Sequence, residues 1–284
     1  MLVLGGDIAG KMMLPVIREG DRWTAELFGQ LRTAESDAQL DALEKAIRTN
    51  GYYPYRTTVE EAEALRDRPD KVQAIFLRLM RESISRWLEL AEEKLTGTGI
   101  DCYVSLGNDD PKELAPLLEE SDVVQNPEGR TVRLGREFEM ASCGYGNITP
   151  WHCPRDLPED ELWAQLEKAV AGVEDMERCL FNFHVPPRDS EIDTAPELTP
   201  DLTPVLVGGQ PKLVGVGSTA VRDAIERHQP LLSLHGHIHE NRGVARIGRT
   251  TCINPGSEYG EGVLHGVLVN LRDGKLASHQ FVAG

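Results

Sequence analysis

Three imidazoles at alternate positions, His235, His237 and His239, follow the apolar run Pro230-Leu231-Leu232-Ser233-Leu234. Imidazole is the commonest protein ligand for transition metals. Gly236, between the first two rings, lets the backbone come close to whatever they hold. The pattern sets the histidines where a buried strand runs out into a loop, which makes a metal site the first chemistry to seek elsewhere in the chain.

Three other apolar runs end on ligand-type residues: Leu2 to Leu4 on Gly5-Gly6-Asp7, Cys102 to Leu106 on Gly107-Asn108-Asp109-Asp110, and Cys179 to Phe183 on His184. In an open α/β sheet the residues after each parallel strand face a common crevice. Asp7, Asn108, His184, His237 and His239 are therefore expected to converge as one carboxylate, one amide and three imidazoles. A mixed oxygen and nitrogen shell without thiolate suits Mn²⁺, Fe²⁺, Zn²⁺, Co²⁺ or Ni²⁺ better than a structural cysteine-bound zinc or an all-oxygen calcium site. The residues do not choose among these metals.

The elements that must position this set alternate. Helical patterns run over Asp37 to Arg48, Val59 to Arg66, Lys71 to Leu95, Pro158 to Val170 and Ser218 to Arg227, between the strand-like runs and Leu231 to Leu234. This alternation predicts an α/β sheet. From Val244 on, β-branched segments separated by glycine turns such as Asp273-Gly274 predict hairpins completing a sheet. Residues 12–99 carry no ligand cluster and read as a mostly helical insertion within a single domain spanning 1–284. Residues 189–212, with four prolines and Gly208-Gly209, read as a surface loop.

Composition narrows the function classes. The net charge of -16, with no Lys/Arg block, disfavours broad nucleic-acid binding. A small phosphorylated substrate stays compatible with it, because a bound dication reverses the local sign of an acidic surface. The five cysteines are scattered and form no Cys-x-x-Cys pair, so reduced buried thiols are expected. No secretory leader or membrane-spanning run is legible, which predicts a cytoplasmic protein with no membrane partner. No protein partner can be named.

These motifs, in order, resemble the calcineurin-like metallophosphoesterases, whose blocks are Asp-x-His, Gly-Asp, Gly-Asn-His-Asp/Glu, a single His and Gly-His-x-His. Four of the five are present, and Ile253-Asn254-Pro255-Gly256-Ser257 looks like the turn that follows the last. The resemblance implies a sandwich of two mixed β-sheets flanked by helices. It also implies that Asp7 bridges two divalent metals, that Asn108, His184 and His237 complete the shell of one, and that His239 binds the other. The implied activity is hydrolysis of a phosphomonoester or phosphodiester by a metal-bound hydroxide; two metals about 3.5 to 4 Å apart clamp phosphoryl oxygens and acidify a bridging water.

The Asp-x-His block is absent, which predicts an N-terminally truncated chain, or one holding a single metal. Asp109 stands where many relatives carry a histidine that assists the leaving group. With Asn108 it is the expected catalytic pair, and a carboxylate there is expected to favour good leaving groups or diesters over alkyl monoesters. His152, His228, His235, His265 and His279 match no ligand position.

Two other readings stay open. One is a non-catalytic interaction module of the same fold. The other is a phosphate-binding P-loop over Gly5-Gly6-Asp7-Ile8-Ala9-Gly10-Lys11, although Met12 occupies the position that needs Ser or Thr.

Overall fold

The computed structural model describes all 284 residues as two compact units, one of residues 1–8, 91–258 and 263–284, the other of 9–90 and 259–262. The chain is mixed α/β, as the alternation predicts.

A six-stranded sheet organises the larger unit, in the order Gly243–Ile247, Thr250–Asn254, Leu232–Leu234, Cys179–Phe183, Phe138–Cys143, Thr131–Leu134. The four inner strands are parallel and the two edge strands antiparallel. Every residue of Cys179–Phe183 is buried, as a strand covered on both faces requires. Its side chains alternate between two cores. Cys179, Phe181 and Phe183 pack with Leu162, Leu166, Ala169, Val170, Ala220, Val221, Ala224 and Ile225. Leu180 faces the other way, toward Tyr103, Met140, Leu232 and Ile253, with Val3, Val267, Leu271 and Phe281 packed against them.

The helices Glu159–Val170 and Thr219–His228 bury residues at the i, i+4 spacing of one helical face. Ser218 caps the second, accepting from the Val221 amide at 3.1 Å. A second, parallel sheet, in the order Leu2–Leu4, Cys102–Val104, Val124–Gln125, carries the first two ligand-type loops. The hairpin His265–Arg272/Lys275–Ala283 turns at Asp273 (φ 51°) and Gly274 (φ 69°), the paired positive φ of a type I′ turn.

One strand carries no apolar run to announce it, and one expectation needs correction. Phe138–Cys143 is a central strand although Glu139 and Ser142 break its apolar run. Glu139 is tolerated there because its Oε2 accepts from the Glu174 and Asp175 amides at 3.0 Å each. Residues 189–212 are not plain loop, for they contribute to short antiparallel pairs, Thr194–Pro196 with Leu213–Gly215 and Leu206–Val207 with Gln210–Pro211.

The smaller unit is not helical throughout, because its first part is a four-stranded sheet. The order is Gln30–Ala34, Arg22–Leu27, Met12–Glu19, Tyr52–Thr58, with the last two strands parallel. Helix Asp37–Thr49 makes the crossover and packs Leu40, Leu43 and Ile47 on Val16, Ala25, Leu27 and Ala34. Its strands mix Arg, Thr and Glu with apolar residues and carry Pro15 and Pro54, which mutes the strand signal. The helices Val59–Leu65 and Pro69–Leu95 follow. No helix of the chain is long and apolar enough to cross a membrane.

All five cysteines are free, and four are buried. Burial pushes Cys143, Cys179 and Cys252 each up to about 12, so these thiols are inert at neutral pH.

Candidate metal centre

Parallel register brings the ligand-type loops to one end of their sheets. Leu4 pairs with Val104, and Asn182 pairs with Leu234. The segments that follow, 5–8, 105–110, His184 and 235–239, therefore leave their strands in the same sense.

The first loop bends sharply. Gly6 has φ +120° and Asp7 φ +51°, the latter a left-handed conformation that a non-glycine residue adopts only where surroundings enforce it. Gly107 lies directly against Asp7, and a β-carbon there would collide with the Asp7 carboxylate and amide. Buried Asp110 ties the two loops, its Oδ2 accepting from the Gly107 amide at 2.7 Å and the Ile8 amide at 3.0 Å. Asp7 Oδ1 in turn accepts from the Asp109 amide at 3.1 Å.

His184 is buried, with Nδ1 3.0 Å from the Gly5 carbonyl. That nitrogen must donate, so in the neutral ring the lone pair is on Nε2. Nε2 lies 3.3 Å from Asp7 Oδ2 yet has no hydrogen-bond partner. Burial alone would push His184 down, but the Asp7 carboxylate and the bond to Gly5 outweigh it and hold its pKa above the usual imidazole value.

His237, at φ +65°, sets its ring 5.4 Å from that of His184. Its Nδ1 is 2.9 Å from Asn108 Oδ1. Burial, then neighbouring His184, push His237 down to about 3, so the ring is neutral and its lone pair available at physiological pH. The ligand atoms of Asp7, His184 and His237 all lie within 4.8 Å of one another.

The donor set fits a divalent transition metal. An oriented histidine with a buried, unpartnered Nε2 beside a carboxylate is the arrangement that second-shell bonding gives a metal ligand. Asn108, only 1% exposed, lies against this cluster through its 2.9 Å hydrogen bond with His237.

The remaining candidate residues lie differently. Half-buried Asp109 follows Asn108, its backbone bound to Asp7. His239 is not one of the three clustered ligands; it lines a cleft of about 420 Å³ with Glu240, Arg242, Ser257, Glu258 and His265.

The P-loop reading fails on structure. A phosphate loop must open a helix whose N-terminal amides face the anion, whereas Met12–Glu19 is a strand.

Sequence reasoning missed several supporting residues. Asp156 Oδ1 accepts from Asn108 Nδ2 at 2.8 Å. Buried Arg155 donates to the Gly107 carbonyl at 3.1 Å, pairs with Glu128, and stacks 4.1 Å over the Tyr145 ring. His235 anchors the last loop, its Nδ1 donating to the Phe183 and Val185 carbonyls at 2.8 and 3.0 Å. Arg155-Asp156 follows no strand-like apolar run, so only the folded chain reveals its place.

No family model matches the chain. Over 151 residues it is 27% identical to an uncharacterized protein of Methanocaldococcus jannaschii, MJ1162, the match covering 52% of this chain and 61% of that protein. The chain thus spans about three-fifths of the length of the curated relative it matches. Among solved structures it is similar to TT1561 of Thermus thermophilus, at 16% identity over 72% of this chain and 79% of that one, with a TM-score of 0.46. It is also similar to the Thermus thermophilus sulfate thiohydrolase SoxB in complex with glycerol, at 16% identity over 87% of this chain and 41% of that one, with a TM-score of 0.36.

Proposed function

We propose that the chain is a metal-dependent phosphoric ester hydrolase of the calcineurin-like kind, with Asp7, Asn108, His184 and His237 holding a divalent ion. The observation that carries this is the convergence of one carboxylate, one amide oxygen and two imidazoles at the ends of parallel strands, with one buried imidazole nitrogen left unpartnered. A divalent ion bound there would supply Lewis-acid polarisation of a phosphoryl oxygen and acidify a water.

The chain's own residues have distinct parts. Asp7, strained and held by the Asp109 amide, aims one carboxylate oxygen at His184. Gly5 sets the tautomer of His184. His237 is neutral at working pH and enters the shell without first losing a proton. Asp109, adjoining Asn108 and half-buried, is the side chain proposed to act on the leaving group. His239 is proposed as a ligand of a second ion shared with Asp7. The substrate class is a small phosphomonoester or phosphodiester, and the proposed location is cytoplasmic.

The test is Mn²⁺-dependent hydrolysis of bis(p-nitrophenyl) phosphate. His237→Ala and exhaustive chelation are each expected to abolish it. Activity surviving both, or failure of the folded protein to bind Mn²⁺, overturns the proposal; Mn²⁺ binding without turnover of any phosphate ester supports the non-catalytic module instead.

A further inference from the structure

We infer that Asp156 is a positioning residue that selects which end of the Asn108 amide faces the metal centre. An asparagine offers an acceptor oxygen at one end and two donor hydrogens at the other. Only the oxygen has a lone pair to give a cation, so a ligand asparagine must be kept from turning over. The consequence for metal binding rests on the metal-centre reading above; the orientation of the amide does not.

The geometry leaves Asp156 no other role at Asn108. A carboxylate accepts and cannot donate when ionised. Its Oδ2 accepts from the Thr149 amide at 2.9 Å, the Thr149 hydroxyl at 2.7 Å and the Cys153 amide at 2.9 Å. Its Oδ1 is aimed at Asn108 Nδ2, 2.8 Å away. Asn108 must therefore present its NH₂ to Asp156, and its Oδ1 is turned to His237. The backbone is held as well: the Arg155 amide donates to the Asn108 carbonyl at 2.9 Å, and the Arg155 guanidinium donates to the Gly107 carbonyl. The dipeptide 155–156 thus clamps 107–108, backbone by backbone and side chain by side chain.

Reversing the polarity of position 156 follows from this. In Asp156→Asn, two backbone N–H groups that cannot rotate away still demand an oxygen at the Oδ2 position. The new NH₂ then faces residue 108, and Asn108 must turn over to meet it, presenting its own NH₂ to the metal. Mn²⁺ affinity is expected to fall about 10- to 100-fold, the usual effect of losing an outer-shell partner. In the single variant Asn108→Asp, two carboxylates would stand 2.8 Å apart and could not both ionise, so binding is again weakened. In the exchanged pair, Asn108→Asp with Asp156→Asn, an aspartate at 108 accepts from the new NH₂ and still offers an oxygen to the ion. Affinity is expected to return to at least the wild-type value.

Two measurements decide it. The first is Mn²⁺ titration by calorimetry on the four proteins, with thermal unfolding of each metal-free form alongside. The expected result is two weak singles and a restored double. Wild-type affinity in Asp156→Asn, or a double no better than either single, overturns the inference; a merely structural aspartate predicts the latter.

The second uses metal-free protein: hydrogen exchange of the Asn108 side-chain NH₂ by ¹⁵N NMR, in wild type and in Asp156→Ala. The amide is expected to be protected in wild type and to exchange freely in the variant. Equal rates overturn the inference even if wild type binds no Mn²⁺, whereas protection lost in the variant together with no Mn²⁺ binding upholds the clamp and overturns only the metal reading.

Discussion

Gly6→Ala probes the closeness of the two ligand loops, because a β-carbon there has nowhere to go. It would stand 2.6 Å from His184 Nδ1, 2.7 Å from the Gly107 Cα and 2.9 Å from the Gly107 nitrogen. Two of these atoms are backbone and cannot swing aside, and the third belongs to a ring fixed by the Gly5 carbonyl. The φ of +120° adds a conformational penalty for any L side chain. The backbone term is about 1 to 3 kcal/mol and the overpacking term a further 1 to 3, so a loss of about 2 to 6 kcal/mol is expected.

Gly129→Ala is the control, since Gly129 has φ +70° but nothing within 4 Å of where a β-carbon would stand, and it belongs to the same compact unit. It should lose only the backbone term, about 1 to 2 kcal/mol. Urea unfolding of both variants and of wild type, in chelator, measures the difference. Mn²⁺ titration of Gly6→Ala should also show weakened binding, because relief of the collision moves the 5–7 loop away from Gly107. Equal losses in the two variants, or wild-type metal affinity in Gly6→Ala, would refute the close-approach reasoning.

Further expectations concern the supporting residues. Burial pushes His235 down to about 4. A depressed folded-state pKa favours the neutral ring, so its contribution is intact above the unfolded value near 6.5 and is lost as pH falls from there toward 4. Between pH 7.5 and 4.5 metal-free wild type should lose about 2 to 3 kcal/mol more than His235→Asn, and identical pH dependence in urea titrations would sink this account. Glu128→Gln leaves the Arg155 guanidinium, 4% exposed, without its carboxylate; a loss of about 3 to 5 kcal/mol is expected, and a change under 1 kcal/mol on unfolding would count against a paired buried charge. With Asp109 beside the proposed centre, a nitrophenyl phosphodiester should be hydrolysed faster than an alkyl phosphomonoester; equal kcat/KM for the two would argue against that role.

The strand and helix pattern was largely legible in the sequence. The helices expected over Asp37 to Arg48, Pro158 to Val170 and Ser218 to Arg227 form within one residue of those limits, because each buries a regular apolar stripe. The Cys179–Phe183 strand forms where a continuous apolar run demands burial on both faces, and the apolar run Leu2–Leu4 forms a strand that is less buried. The sheet of residues 12–58 and the Phe138–Cys143 strand were illegible, because interspersed Arg, Thr, Glu and Pro in the first and a hydrogen-bonded Glu139 in the second break the apolar run.

Residue types at strand ends nominated Asp7, Asn108, His184 and His237, since a carboxylate, an amide and imidazoles that follow parallel strands face a common crevice. Their distances, the choice of donor nitrogen on His184, and the clustering of Asp7, His184 and His237 depended on parallel register and on contacts between residues more than a hundred positions apart. The same holds for Asp156: its identity is written in the chain, but its effect on Asn108 exists only once folding sets a carboxylate that can only accept against an amide that can face either way.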